Sequence, residues 1–147
     1  MIAKKIILLF TFFGFCIALG CAEPKLKGLV PASGTVTFNG EPLDEAAVCF
    51  TPKEFKTGDR LGTGKTDVQG RFELRTIGEL GILPGEYVVV VIKNEIIPGR
   101  QASPPGRPAP TEVKPLIPKR YGSPKTSDLN VVVDKSGIRD MQLTLLP

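Results

Sequence analysis

Histidine is absent from this chain, and its absence removes most of the common catalytic chemistry. Ser/His/Asp and Cys/His nucleophiles need an imidazole base, and the usual zinc sites need an imidazole ligand. A cysteine-only metal site fails as well, since two of the three cysteines, Cys16 and Cys21, lie at the extreme N-terminus. Tryptophan is also absent, and the tyrosines are two, Tyr87 and Tyr121. Aromatic faces are scarce, so stacking on sugars has few platforms; Tyr121 stands in an expected loop and is the candidate ligand contact. No tract of five basic residues occurs, and Lys and Arg are scattered, which argues against a nucleic-acid partner. No helix-length amphipathic pattern appears anywhere.

What is present begins with the leader. Lys4 and Lys5 precede an apolar run from Ile6 to Ala18, and Ala18-Leu19-Gly20 leads directly into Cys21. This is the pattern of a secretory signal with a small-residue cleavage site. It resembles a bacterial lipoprotein signal, with residues 1–20 removed and Cys21 acylated, although Ala18 and Leu19 stand in the reverse of the usual order. Two other readings stay open. One is ordinary signal-peptidase cleavage nearby; the other is an uncleaved anchor, for which the 17 residues from Ile6 to Ala22 lie at the lower limit for spanning a bilayer. The expected localisation is the cell envelope, with membrane lipid as a partner through Cys21. Loss of the leader lowers the formal charge of +4 by its two lysines, so the basic pI of about 9.1 is not a property of the exported domain. Cys49, alone in an apolar run, is expected to be a small buried hydrophobe. A Cys21–Cys49 disulfide is the alternative where lipidation does not occur.

Residues 21–31 are expected to be a tether, and the remainder, 32–147, one domain built from short strands. Ser33 to Phe38 alternates Thr with Val and Phe before Asn39-Gly40, the signature of a strand entering a tight turn. A second strand is expected over Ala46 to Thr51. Leu61 to Thr66 and Arg71 to Thr76 flank Asp67-Val68-Gln69-Gly70, and are expected to pair as one hairpin. Glu86 to Lys93 holds five consecutive β-branched residues, which suit a pleated surface and a central position in a sheet. Asp128 to Asp134 and Arg139 to Leu146 are expected to form a last hairpin across Lys135-Ser136-Gly137. The fold class that follows is all-β, a sandwich of about seven strands. Between the strong strand and that hairpin, residues 96–127 hold 8 of the 14 prolines and are expected to form a Pro-rich loop, because proline has no amide donor for a ladder. Its later part, with Ile117 and Tyr121, carries the apolar groups to pin it back onto the sandwich.

Several apparent motifs dissolve on inspection. Gly62-Thr63-Gly64-Lys65-Thr66 suggests a phosphate-binding loop, but the first required glycine would fall on Asp59. An EF-hand loop at Asp67 fails because Gly70 comes too soon. The carboxylate pairs Asp44 with Glu45 and Asp67 with Glu73 are better read as turn and solvent-face residues than as glycosidase acids.

Four segments in order carry a family resemblance: Ser33-Gly-Thr-Val-Thr-Phe-Asn-Gly-Glu-Pro-Leu43, Ala46-Ala-Val-Cys-Phe-Thr-Pro52, Thr66-Asp-Val-Gln-Gly-Arg-Phe-Glu-Leu74 and Leu83-Pro-Gly-Glu-Tyr-Val-Val88. Together they resemble the carboxypeptidase regulatory-like domain, a transthyretin-like sandwich. Ile117-Pro-Lys-Arg-Tyr121 with Thr126-Ser-Asp-Leu129 resembles the version in small lipoproteins of planctomycete-type bacteria. The resemblance implies a Greek-key sandwich, no catalytic residues and no cofactor. It implies a non-enzymatic structural or protein-interaction module in the envelope; a carbohydrate or other ligand-binding module is the alternative. The expected partners are therefore an envelope protein or a polysaccharide.

Overall fold

In the computed structural model, residues 26–98 and 111–147 are described, so the expected leader and Cys21 lie outside them. Strand β1 (Ala32–Phe38) shows the two-residue period that its sequence carries. Ala32, Gly34 and Val36 are buried, and the residues between them face outward and are half-buried. On one edge β1 pairs in parallel with β12 (Ile138–Leu145). On the other it pairs antiparallel with β2 (Glu41–Pro42) near its end and with β5 (Arg71–Glu73) near its start. These four strands are the first sheet.

The second sheet has six strands. In spatial order they are β11 (Asn130–Val133), β8 (Gly85–Ile92), β3 (Ala47–Pro52), β4 (Gly62–Lys65), β6 (Arg75–Thr76) and β7 (Glu79–Leu80). The β-branched run is β8, held between β3 and β11, with Val89, Val90 and Val91 all buried. Its consecutive valines point alternately to opposite faces, so both faces of the sheet are covered there. The chain is all-β, with two main sheets in a sandwich-like arrangement and no α-helix among the described residues. Phe50 of β3 ties the two sheets together, its ring centroid 6.3 Å from that of Phe72 in β5 and 5.9 Å from that of Tyr87 in β8.

Three expectations about connection need correction. The arms around Asp67–Gly70 are not a hairpin of one sheet. Thr63 still faces Arg75, but Arg71–Glu73 leaves β4 and pairs with β1, and the Leu74 amide donates to Ala32 O at 2.9 Å. Phe72, Leu74 and Thr76 all point into the core, so this segment fills the space between the sheets while its backbone changes partner from one to the other. Likewise, β11 and β12 do not pair across Lys135-Ser136-Gly137. The first joins β8 and the second joins β1, so that turn crosses from sheet to sheet.

The third correction concerns residues 96–127. Asn94–Pro98 (β9) and Thr111–Pro115 (β10) form an antiparallel two-stranded ribbon, with Ile96 opposite Val113 and Glu95 opposite Lys114. Prolines sit at both ends of this ribbon, where they interrupt no central ladder. The segment after it does return to the sandwich as expected, through a 3-10 turn at Lys119–Gly122 that buries Tyr121, while Ile117 is buried beside it. The expected tether is also partly structured. Val30 makes an antiparallel bridge with Ile82 through hydrogen bonds of 2.8 and 3.0 Å, and Pro31 O accepts from the Ile138 amide.

Candidate functional site

Where the segment 71–76 changes sheets it sends Arg71, Glu73 and Arg75 outward. With Thr35 of β1 and Thr63 of β4 they line a groove of about 670 Å³. Its floor is glycine because nothing larger fits. A Cβ on Gly64 would sit 2.7 Å from Glu73 O, and one on Gly34 would collide with Met141 O. The tempting glycine-rich motif is thus strand β4, whose glycines admit close packing instead of cradling phosphate. Charges around the groove balance. Lys65 pairs with Glu45 at 2.6 Å, Arg71 with Asp67 at 3.2 Å, and Arg75 donates to Gly78 O at 3.0 Å. Such a surface offers weak polar contacts and no concentrated field for an anion.

Of the carboxylates weighed as acids, Asp44, Glu45 and Asp67 have structural partners. Asp44 forms an ion pair with the Lys93 ammonium, which also donates to Asp44 O at 2.7 Å; the Lys93 hydrogen bond and charge hold the carboxyl below its usual range. Asp67 Oδ1 accepts from the amides of Arg71 at 2.8 Å and Gln69 at 2.9 Å, and the Arg71 amide is the main cause of its lowered pKa. Asp134 is lowered chiefly by the Ser136 hydroxyl in the turn between β11 and β12. These are turn locks and strand ties.

Tyr121 requires a correction as a ligand contact. Only 2% of it is exposed, so its ring offers no face to a sugar. The Arg120 guanidinium lies 4.7 Å from its centroid, and its hydroxyl accepts from the Leu146 amide at 3.0 Å. Burial follows from the same pinning that its sequence suggested, because an aromatic that anchors a loop cannot also be its outward platform. Tyr87 buries its ring, and its hydroxyl donates to Leu83 O at 2.7 Å, closing the turn before β8. Cys49 has no disulfide partner among the described residues and is half-buried on β3, less covered than expected from its sequence, its sulfur 3.9 Å from Thr51 Oγ1.

Two surface features were not singled out from the sequence. Phe55 is 64% exposed in the loop after β3, beside Lys53, Glu54 and Lys56; an aromatic in an otherwise polar loop was the available signal. On the ribbon, Ile96 and Val113 face each other with 70% and 56% of their surface open to solvent. The apolar residues between prolines hinted at this pair, but only pairing brings them together.

No family model and no curated relative matches this chain. Among solved structures, a 9R-lipoxygenase from Cyanothece PCC8801 aligns at 18% identity and a TM-score of 0.38, over 84% of this chain and 17% of that one. The chain thus spans about a sixth of that protein's length, and so slight a likeness carries neither fold nor activity.

Proposed function

We propose that this is a non-enzymatic, lipid-anchored protein of the cell envelope whose domain is a Greek-key, transthyretin-like sandwich of the carboxypeptidase regulatory-like kind. It serves as a structural or protein-interaction module. The observation that carries this reading is the leader running through Gly20 into Cys21 directly ahead of an all-β domain. Each buried methylene of an acyl chain contributes roughly 0.8 kcal/mol, so a multiply acylated cysteine holds a domain at a membrane durably. In support of the interaction role, the ribbon pairs only with itself among the described residues and presents Ile96 and Val113 on one face. Open strand edges and an exposed apolar pair are features that a partner covers. The polysaccharide reading leaned on Tyr121, and its burial weakens that reading.

Intact-mass spectrometry of the mature protein tests the anchor. Acyl mass on Cys21 is expected, and Cys21→Ser is expected to move the protein from the detergent phase to the aqueous phase. Unchanged partitioning would refute the anchor. For the interaction role, Ile96→Asp with Val113→Asp is expected to abolish capture of envelope proteins while leaving the melting temperature unchanged.

A further inference from the structure

The tether enters the sandwich at one end, and that end has its own exposed apolar groups. Gly28 lies against Leu83, with the position of its Cβ 3.9 Å from Leu83 Cδ2. Leu83 O receives the Tyr87 hydroxyl, and the Lys53 amide donates to Glu86 O at 2.9 Å. This places the Phe55 loop beside the point of entry. Leu61 closes that loop, and the turn between β6 and β7 carries Ile77; they are 42% and 66% exposed. The register puts the starts of β1, β4, β8 and β12 at this end. The Asp67–Gly70 turn and the ribbon lie at the other.

We propose that this end docks on the lipid bilayer, with Phe55, Leu61 and Ile77 entering the interfacial layer, so that the ribbon points away from the membrane. The proposal rests on the lipid-anchor reading and adds an orientation to it. Length decides the geometry. Cys21 to Gly28 spans seven residues, at most about 25 Å when fully extended. The eight residues of β8 alone run roughly 26 Å, so placing the opposite end on the bilayer would need a tether stretched to its limit along the side of the domain. A short tether also supplies a high effective concentration of lipid surface, so contacts too weak to bind membrane alone are sufficient once the cysteine is anchored. Chemistry agrees at the loop: Phe55 stands between Glu54 and Lys56, and the Lys56 ammonium can stay at the headgroups while the ring enters, with Lys53 paired to Glu86 behind it.

The test uses the full acylated protein in phosphatidylethanolamine and phosphatidylglycerol vesicles, with Cys49→Ala to remove the other thiol. Nitroxide labels are placed through Phe55→Cys, Ile77→Cys and, at the far end, Val68→Cys. Collision with oxygen relative to a water-soluble nickel complex is expected to be severalfold higher at 55 and 77 than at 68. A protein that floats with the vesicles but shows the aqueous ratio at all three positions would overturn the docking and leave the anchor standing. Failure to float would overturn both. Spin–spin broadening at 55, with both reagents excluded, would put a second copy on this end and also overturn the proposal.

Discussion

The carbonyl oxygen of Met141 occupies the place where a side chain on Gly34 would begin. The cause is a bulge in β12. Ala32 faces Ile138, yet Gly34 faces Met141, so one extra residue enters on the β12 side, and Asp140 adopts a positive φ of 54° there. Gly34→Ala is therefore expected to cost about 1–3 kcal/mol by overpacking, read as a lower urea midpoint. Gly122→Ala, where nothing lies within 4 Å of the added methyl, serves as the control and is expected to change stability by less than about 0.5 kcal/mol. Equal effects at the two positions would contradict the close approach at the bulge.

Tyr87 separates ring from hydroxyl. Tyr87→Phe keeps the contact with Phe50 and loses the bond to Leu83 O, for an expected cost of about 1 kcal/mol. Tyr87→Ala removes both and is expected to cost about 3–5 kcal/mol. Thermal unfolding of the two variants distinguishes them.

Buried Tyr121 makes a similar forecast against its sequence reading. Tyr121→Phe should speed hydrogen exchange at the Leu146 amide, its donor at 3.0 Å, with little loss of global stability. Arg120→Ala should loosen the same C-terminal residues, because Arg120 donates to Leu146 O at 2.6 Å and Pro147 O at 3.0 Å. Exchange rates at the C-terminus that stay unchanged in both variants would refute this clasp.

Stability should fall at both extremes of pH. Asp44, Asp67 and Asp134 have folded pKa values below the ordinary carboxylate value, through Lys93, the Arg71 amide and the Ser136 hydroxyl respectively. Their contribution is complete above the unfolded pKa of about 3.9 and is lost as pH falls below it through the folded values. Tyr87 is shifted the other way, raised by burial and by the nearby Asp59 charge. Its contribution is complete below the unfolded pKa of about 10 and is lost as pH rises through the folded value. Denaturant midpoints between pH 2 and 11 check both limbs. Asp67→Asn should shrink the acid limb, and Tyr87→Phe the alkaline one.

Strand positions were largely legible in the sequence because a strand is a local pattern. The Thr/Val alternation of β1, the β-branched run of β8 and the Asp67–Gly70 turn each act within a few residues. The structural meaning of Gly62 and Gly64 was partly legible, in that the phosphate-loop spacing failed. What displaces a side chain at Gly62 is Ile82 Cδ1, 2.5 Å from the site of a Cβ and twenty positions along the chain. The candidate surfaces were less legible. Burial of Tyr121 depends on the C-terminal residues it meets, Leu146 standing 25 positions away, which no local pattern reveals.

By itself the sequence determined the all-β class, the main strand segments and the turn residues, since propensity, period and turn chemistry operate over short distances. Tertiary structure alone decided which strand joined which sheet. Both expected hairpins were split, β5 and β12 going to β1 while β4 and β11 stayed with β3 and β8. A tight turn brings two strands near each other whether they pair edge to edge or face across a core. The choice belongs to the buried side chains of Phe72, Leu74, Leu143 and Leu145, which fill the space between the sheets only when the strands separate.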